Sequence, residues 1–363
     1  MSHQPLRMID ANLNRSSEGL RVLEDIARFV LDDVELSQRL RTLRHHLVTE
    51  TEYLSTGLLS HRDSEHDIGP LRSRIKDKES NVETASPSGL VGLVRANAKR
   101  AEESLRVIEE LARLPETNSK LNPASFEQTR FALYTLERDL VSRILRRDKV
   151  ERISGLYVIM DRQLLAGRDE LDIGRQIIEG GARVIQLRDK QGKKKETLPV
   201  AQRLKELCNQ AGVLFIMNDY LDLALAVDAD GLHIGQEDLP MPLVRRELSI
   251  DKIIGCSIRT MTQAAKAQDE GADYIAVGSI FATATKREAT VVGMDILREL
   301  KRTTSTPVVA IGGINQNNVG EVVAAGADAI AVISAVLGEK EIKGAVQKLV
   351  AAIDLTKEQC QKQ

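Results

Sequence analysis

Up to about position 150 the apolar residues of the chain recur every three or four positions; beyond position 154 they come in short runs of five to eight. The first pattern predicts amphipathic helices. Around a helix that begins near Ala11, residues Leu20, Leu23, Ile26, Ala27 and Val30 share one broad face, with Arg21, Glu24, Asp25 and Arg28 opposite. Further helices are predicted over Val34–Ser55 and Ser125–Arg147. The polar stretch His61–Ser88 is long for a connection inside a compact domain and reads as a lid or a mobile loop.

The second pattern predicts strands alternating with helices. The runs are LYVIMD (156–161), RVIQLRD (183–189), LFIMND (214–219) and GLHIG (231–235). KIIGCSI (252–258), YIAVGSI (274–280), PVVAIGGI (307–314) and AIAVISAV (329–336) follow. Eight strand–helix units predict an α/β fold of the (β/α)₈ TIM-barrel type, with a doubly wound open sheet as the competitor. Only five of the 24 glycines precede position 150, which agrees with an all-α N-terminal domain ahead of the barrel. The charged stretch Arg146–Gly155 marks the expected boundary, giving domains 1–150 and 151–363.

The helical part contains an internal duplication. ANLNRSSEGLRVLEDIAR (11–28) aligns with ANAKRAEESLRVIEELAR (96–113) at an offset of 85, with ten of 18 positions identical. Two helical halves related by a pseudo-two-fold axis are expected. The repeated pairs Asn12/Arg15 and Asn97/Arg100 fall toward the apolar side, where they either line an anion pocket or cap and pair within the helix.

Composition narrows the function classes. Charges nearly cancel at −2, which argues against a coat for nucleic acid or for an acidic membrane surface. With no Trp, five Tyr and five Phe, the stacking platforms of single-strand binders are not expected either. Cys208, Cys256 and Cys360 are odd in number and far apart, so reduced thiols in a cytoplasmic protein are expected. The start has no apolar signal region and no run approaches 18 apolar residues, so no membrane partner is expected.

In a barrel of this type chemistry sits where the strands end at the C-terminal rim. Strand 2 ends in Gln186, Arg188, Asp189 and Lys190, strand 3 in Asn218 and Asp219, and strand 4 is followed by Gln236, Glu237 and Asp238. Ser257 closes strand 5, and Thr283, Thr285 and Lys286 follow strand 6. Gly312–Gly313 and Ile333–Ser334, after strands 7 and 8, suit a phosphate held by backbone N–H groups; an ordinary tight turn is the alternative. Asp219 and Asp238, on neighbouring loops beside Arg188, Lys190 and Lys286, suit Mg²⁺ with a diphosphate, or else two helix N-caps. No Ser/His/Asp set or activated Cys is visible on the rim, and His233 reads as a packed histidine rather than a base.

QLRDK (186–190), MNDYLDLALAVDADGLHIGQEDLP (217–240), GCS (255–257), GADYIAVGSIFATATK (271–286), VVAIGGI (308–314) and GADAIAVISA (326–335) resemble the thiamine-phosphate synthase family in order along the strand ends. The resemblance implies an enzyme, a transferase that joins 4-amino-2-methyl-5-(diphosphooxymethyl)pyrimidine to a thiazole phosphate with release of diphosphate. It implies that Gln186, Leu187, Arg188, Asp189, Lys190, Asn218, Ser257 and Lys286 hold the pyrimidine diphosphate, with Arg188, Ser257 and Lys286 catalytic. Asp219 and Asp238 would bind Mg²⁺, and Thr283, Ala284, Thr285, Gly313, Ile333 and Ser334 the thiazole phosphate. The implied reaction is dissociative, and the partners are small molecules, with a homo-oligomer left open. A thiazole tautomerase-like barrel or a non-catalytic phosphate-binding barrel is the competing reading.

Departures from the family pattern are Ala282 and Ala284 in a loop that is often proline-rich, Ser279 where proline is common, and Arg259 where histidine is frequent. The helical half resembles the extra domain that precedes the synthase in some bacteria. A pyrimidine-phosphate kinase and a dimerising or structural module both stay open for it, since residues 1–150 carry no P-loop.

Overall fold

The computed structural model describes residues 3–52, 55–60, 89–117, 120–283 and 291–361. The stretch 61–88, expected as a loop, and Ala284, Thr285 and Lys286 lie outside the described residues. The chain divides into two compact units, Met1–Leu145 and Arg146–Gln363.

The first unit is helical: α1 (His3–Phe29), α2 (Val34–Thr51), α3 (Ser55–Ser60), α4 (Gly89–Ala112) and most of α5 (Pro123–Glu151). The repeats lie in α1 and α4, and their apolar faces are buried at equivalent positions: Leu20 with Leu105, Leu23 with Ile108, Ala27 with Ala112. The two helices cross closely at Gly19, where an added Cβ would stand 2.8 Å from the Asn97 carbonyl oxygen.

One expectation about this unit needs correction. Glu24, placed on the polar face by helical periodicity, is buried, as is its repeat equivalent Glu109. Arg41 and Arg44 of α2 reach Glu24 at 2.9 and 3.0 Å, while Arg106, Arg113 and Arg130 reach Glu109 at 2.8, 2.7 and 3.0 Å. Helical phase alone could not show that cations on a second helix cover these carboxylates. The repeated Asn and Arg keep to their own helices, and Arg100 donates to Asn97 Oδ1 at 3.3 Å. Asn12 and Asn97 are buried and donate to carbonyls four residues back in their own helices, Met8 at 2.8 Å and Leu93 at 2.9 Å, whereas Arg15 and Arg100 are exposed. These contacts are those of the local pairing alternative.

Burial alone would raise the Glu24 carboxyl, but Arg41 and Arg44 outweigh it and hold the group below its ordinary value of 4.5. A depressed carboxylate contributes stability above the unfolded-state value and loses it as pH falls through the folded-state value. Glu24→Gln is expected to lower the unfolding free energy of the full chain at pH 7 by about 2 kcal/mol, because it takes charge-assisted hydrogen bonds from Arg41 and Arg44 away from a fully buried side chain. In urea titrations the gap to the parent should close as pH falls below 4.5. A pH-independent gap would show that the ion pairs are not its source.

The second unit begins inside α5. The charged stretch from Arg146, expected to be a boundary, stays helical through Glu151, supported by an Arg147–Glu151 pair at 2.7 Å one turn apart. Arg146 meets Asp273 at 2.9 Å and Lys149 meets Asp251 at 2.9 Å, so these turns are anchored to the barrel.

Eight parallel strands close in sequence order: β1 (Gly155–Asp161), β2 (Val184–Arg188), β3 (Leu214–Asn218), β4 (Gly231–Ile234), β5 (Ile253–Ile258), β6 (Tyr274–Val277), β7 (Val308–Ile311) and β8 (Ala329–Val332). This is the (β/α)₈ barrel expected from the alternation. Alternate residues of each strand point inward, where Tyr157, Ile159, Val184, Ile216, Ile253 and Tyr274 are among those that fill the lumen. The other set, including Ile185, Leu187, Met217 and Cys256, packs under the surrounding helices. Small residues make room for large ones inside. Gly255 pairs with Tyr274 across β5 and β6, and a Cβ on Gly255 would lie 2.0 Å from the Tyr274 ring. Among the described residues no helix is long and apolar enough to cross a membrane.

Candidate active site

The strand alternation decides which rim residues face the lumen. On β2, Val184 points inward and Ile185 outward, so Gln186 and Arg188 point inward while Leu187 and Asp189 do not. Leu187 is fully buried in the layer between strands and helices. Asp189 is buried too, and its carboxylate accepts from the Gly192 amide at 2.7 Å, the Thr197 hydroxyl at 2.8 Å and the Arg162 guanidinium at 2.6 Å. Burial works against its ionisation, but Thr197 and Arg162 hold it below its ordinary value. Asp189 shapes the loop that carries Lys190.

The inward set forms one continuous patch over β2 to β5. Arg188 is bonded to Asp161 at the end of β1, and Asp161 also accepts from the Gln163 amide at 3.1 Å. Asn218 stands beside His233 in the β3–β4 register. Asp219 has φ 62, a left-handed conformation that Asp tolerates better than most residues, and its amide donates to the His233 carbonyl at 2.8 Å. The Lys190 ammonium lies 3.0 Å from the Asp219 carboxylate. Asp238 accepts from the Gly235 amide at 2.7 Å and faces Asp219. Burial and the neighbouring Asp238 push Asp219 above its ordinary value, with Lys190 pulling the other way.

Neither aspartate is spent as a helix cap. Tyr220 and Pro240 occupy the N-cap positions of helices Leu221–Ala226 and Met241–Glu247, without side-chain capping bonds. Two adjacent carboxylates, with Asp238 adding to the proton affinity of Asp219, supply the hard oxygen donors a Mg²⁺ ion takes, with phosphate and water oxygens left to complete its shell. No cluster of three or more metal-ligating side chains occurs among the described residues.

Ser257 closes β5 on the same patch, its carbonyl accepting from Gln236 at 2.7 Å. Here the structure adds a contact that the strand pattern did not reveal: Ser257 Oγ lies 2.9 Å from His233 Nε2. His233 is buried, as expected, but it is hydrogen-bonded on both sides, with Nδ1 3.1 Å from the Tyr274 hydroxyl. A phenol in that place does not stabilise an imidazolium as the carboxylate of a hydrolytic triad does, so the pair is a poor nucleophile–base couple.

Across the rim, Gly312 and Gly313 have φ 102 and 67. A Cβ on Gly313 would stand 2.6 Å from the Ala282 carbonyl oxygen, and Asn318 donates to the Gly313 carbonyl at 3.0 Å, which fixes the turn. Ile333 is half-buried and Ser334 exposed where β8 ends, and Thr283 is half-buried after β6. The ring of strands thus brings Gln186, Arg188, Lys190, Asn218, Asp219, Asp238 and Ser257 together on one arc. Gly313, Ile333 and Ser334 belong to another. Asp161, Arg162 and Thr197 escaped the reading of strand ends because it began at strand 2, although Asp161 closes LYVIMD in the same way. Cys256 points outward, and burial pushes its thiol up to about 11, which leaves it a packing residue.

Comparison with known proteins follows the same division. Residues 156–336 match the family model described as thiamine monophosphate synthase, and residues 7–139 match the ThiD2 family. A thiamine-phosphate synthase of Synechocystis sp. is 37% identical over 333 residues, covering 91% of either chain. Another, of Synechococcus sp., is 35% identical over 353 residues, covering 96% of either. Among solved structures, thiamine phosphate pyrophosphorylase from Pyrococcus furiosus superposes with a TM-score of 0.53 at 38% identity, covering 57% of this chain and 98% of that one.

Proposed function

Because the chain belongs to the thiamine-phosphate synthase family and is a transferase of thiamine biosynthesis, we propose that its barrel rim joins 4-amino-2-methyl-5-(diphosphooxymethyl)pyrimidine to thiazole phosphate, yielding thiamine phosphate and diphosphate. The observation that carries this reading of the rim is the cluster of Lys190, Asp219 and Asp238 beside Arg188 and Ser257. Cations and a hydroxyl face phosphate oxygens there, and paired carboxylates suit a hard divalent ion.

Gln186, Arg188, Lys190, Asn218 and Ser257 hold the pyrimidine diphosphate, joined through the family resemblance by Lys286. Leu187 and Asp189 offer it backbone only, since their side chains are committed elsewhere. Asp219 and Asp238 hold Mg²⁺, which when bound neutralises charge on the leaving diphosphate. Thr283, Ala284, Thr285, Gly313, Ile333 and Ser334 hold the thiazole phosphate.

The C–O bond to diphosphate breaks and its electron pair leaves with the diphosphate. The pyrimidine methyl cation is then captured by the lone pair of the thiazole nitrogen. No proton has to move in either step. Arg188, Lys190 and Ser257 act by orienting the diphosphate and stabilising its growing charge. Three free cysteines, two of them buried, fit the reducing cytoplasm as the place of work.

For the helical unit, the kinase reading rests on a groove of about 840 Å³ lined by Arg28, Arg41, Thr42, His45 and His46, groups that suit a phosphorylated ligand, together with Asp32 and Asp33. The duplicated Asn pair gives it no support. Purified chain given both barrel substrates and Mg²⁺ is expected to form thiamine phosphate and diphosphate one to one, and to stop when the metal is chelated. Isomerised thiazole without diphosphate would favour the tautomerase reading. ADP formed from ATP and pyrimidine monophosphate would favour the kinase, and its absence a structural role.

A further inference from the structure

A chain of hydrogen bonds runs from the floor of the barrel to its rim. The Tyr157 and Tyr274 hydroxyls are 3.0 Å apart, the Tyr274 hydroxyl is 3.1 Å from His233 Nδ1, and His233 Nε2 is 2.9 Å from Ser257 Oγ. These residues stand on four strands, β1, β6, β4 and β5, and all point into the lumen. The imidazole also stacks on the Tyr274 ring at 5.6 Å between centroids and 30° between planes. Gly255, between His233 and Tyr274 in the register, leaves the space the phenol ring occupies.

The chain can run in two directions. Outward, Tyr157 donates to Tyr274, Tyr274 to His233 Nδ1, and His233 Nε2–H to Ser257, so the Ser257 proton remains for a ligand. Inward, Ser257 donates to His233, His233 to Tyr274 and Tyr274 to Tyr157. The last proton, on Tyr157, then meets no acceptor side chain among the described residues. Tyr157 is buried, and Tyr274 is the one side-chain hydrogen-bond partner of its hydroxyl among the described residues. A buried donor without an acceptor is costly, so the outward direction is favoured. Burial also keeps both phenols protonated and able to donate.

We propose that Tyr274 is a positioning residue: by donating to His233 Nδ1 it fixes the Nε2–H tautomer, which turns the Ser257 hydroxyl into a committed donor toward the departing diphosphate. This rests on the reading above that Ser257 faces the pyrimidine diphosphate. An anion presented to the inward chain would meet lone pairs on Ser257 instead of a proton. The barrel core thereby sets the polarity of a rim hydroxyl two residues away along the bond chain, without itself touching substrate.

Tyr274→Phe keeps the ring and deletes the hydroxyl. Its kcat is expected to fall about tenfold with KM for the pyrimidine diphosphate nearly unchanged, because the lost donor matters most as charge develops. In a Ser257→Ala background the same substitution should change kcat less than about twofold, since the route through the hydroxyl is already gone. ¹⁵N NMR of the histidine-labelled parent should find His233 protonated on Nε2 and accepting on Nδ1. An Nδ1–H tautomer in the parent overturns the proposal even if Tyr274→Phe fails to fold. So does a Tyr274→Phe loss that persists in full in Ser257→Ala, or parent-like turnover of Tyr274→Phe while Ser257→Ala is slow. A Ser257→Ala enzyme as fast as the parent overturns the site assignment itself, and this proposal with it.

Discussion

Asp219→Asn is expected to lower the rate of thiamine phosphate formation by about a thousandfold at saturating Mg²⁺, at the upper end of what removing one preorganised charge costs. The substitution removes a carboxylate that Lys190 reaches at 3.0 Å and that faces Asp238, while Asn keeps the left-handed backbone at φ 62. Alanine there confuses two effects, because a non-glycine residue without a polar side chain adds backbone strain of about 1 kcal/mol. Thermal unfolding of the Asn variant should therefore stay within a few degrees of the parent while turnover collapses. Turnover within tenfold of the parent would show that Asp219 does not hold the ion on which the leaving diphosphate depends.

Gly255→Ala should destabilise the barrel strongly. Its Cβ would stand 2.0 Å from Tyr274 Cζ, 2.3 Å from Cε2 and 2.4 Å from the hydroxyl oxygen. The ring has no easy retreat, being stacked on His233 and bonded to Tyr157 in the closed lumen. A loss of about 3 kcal/mol is expected, the upper part of the usual range for overpacking. Gly344→Ala, in helix Ile342–Gln361 with its nearest neighbour 3.9 Å away, is the matched control and should be neutral or mildly stabilising. Denaturant midpoints of the two variants decide the matter; equal midpoints would mean that the lumen has slack around Tyr274.

Much of this is legible in the sequence alone. The eight apolar runs and their polar ends mark the barrel and its working rim, because a strand end obeys a local rule. What escaped were the partners that only tertiary contact supplies. Glu24 sits on the polar side of its helix by phase, and nothing in α1 announces Arg41 and Arg44 arriving from α2. Asp189 stands among ligand-facing residues in sequence, yet Thr197 and Arg162 claim it from outside the strand. His233 reads as a packed residue because its neighbours in sequence are apolar, whereas its hydrogen-bond partners come from two other strands.

The pleat of β2 has a consequence for anyone who mutates it. QLRDK looks like one five-residue ligand clasp, but it is two interleaved parts with separate failure modes. Damage at Gln186 or Arg188 belongs to the catalytic assay, in a protein that still purifies. Damage at Leu187 belongs to the folding yield, as a shortage of protein that works normally per molecule, and damage at Asp189 adds to that a displaced Lys190 loop. A screen that reads only total activity in cells would score both as loss of function, and so mistake the structural part of the motif for binding site.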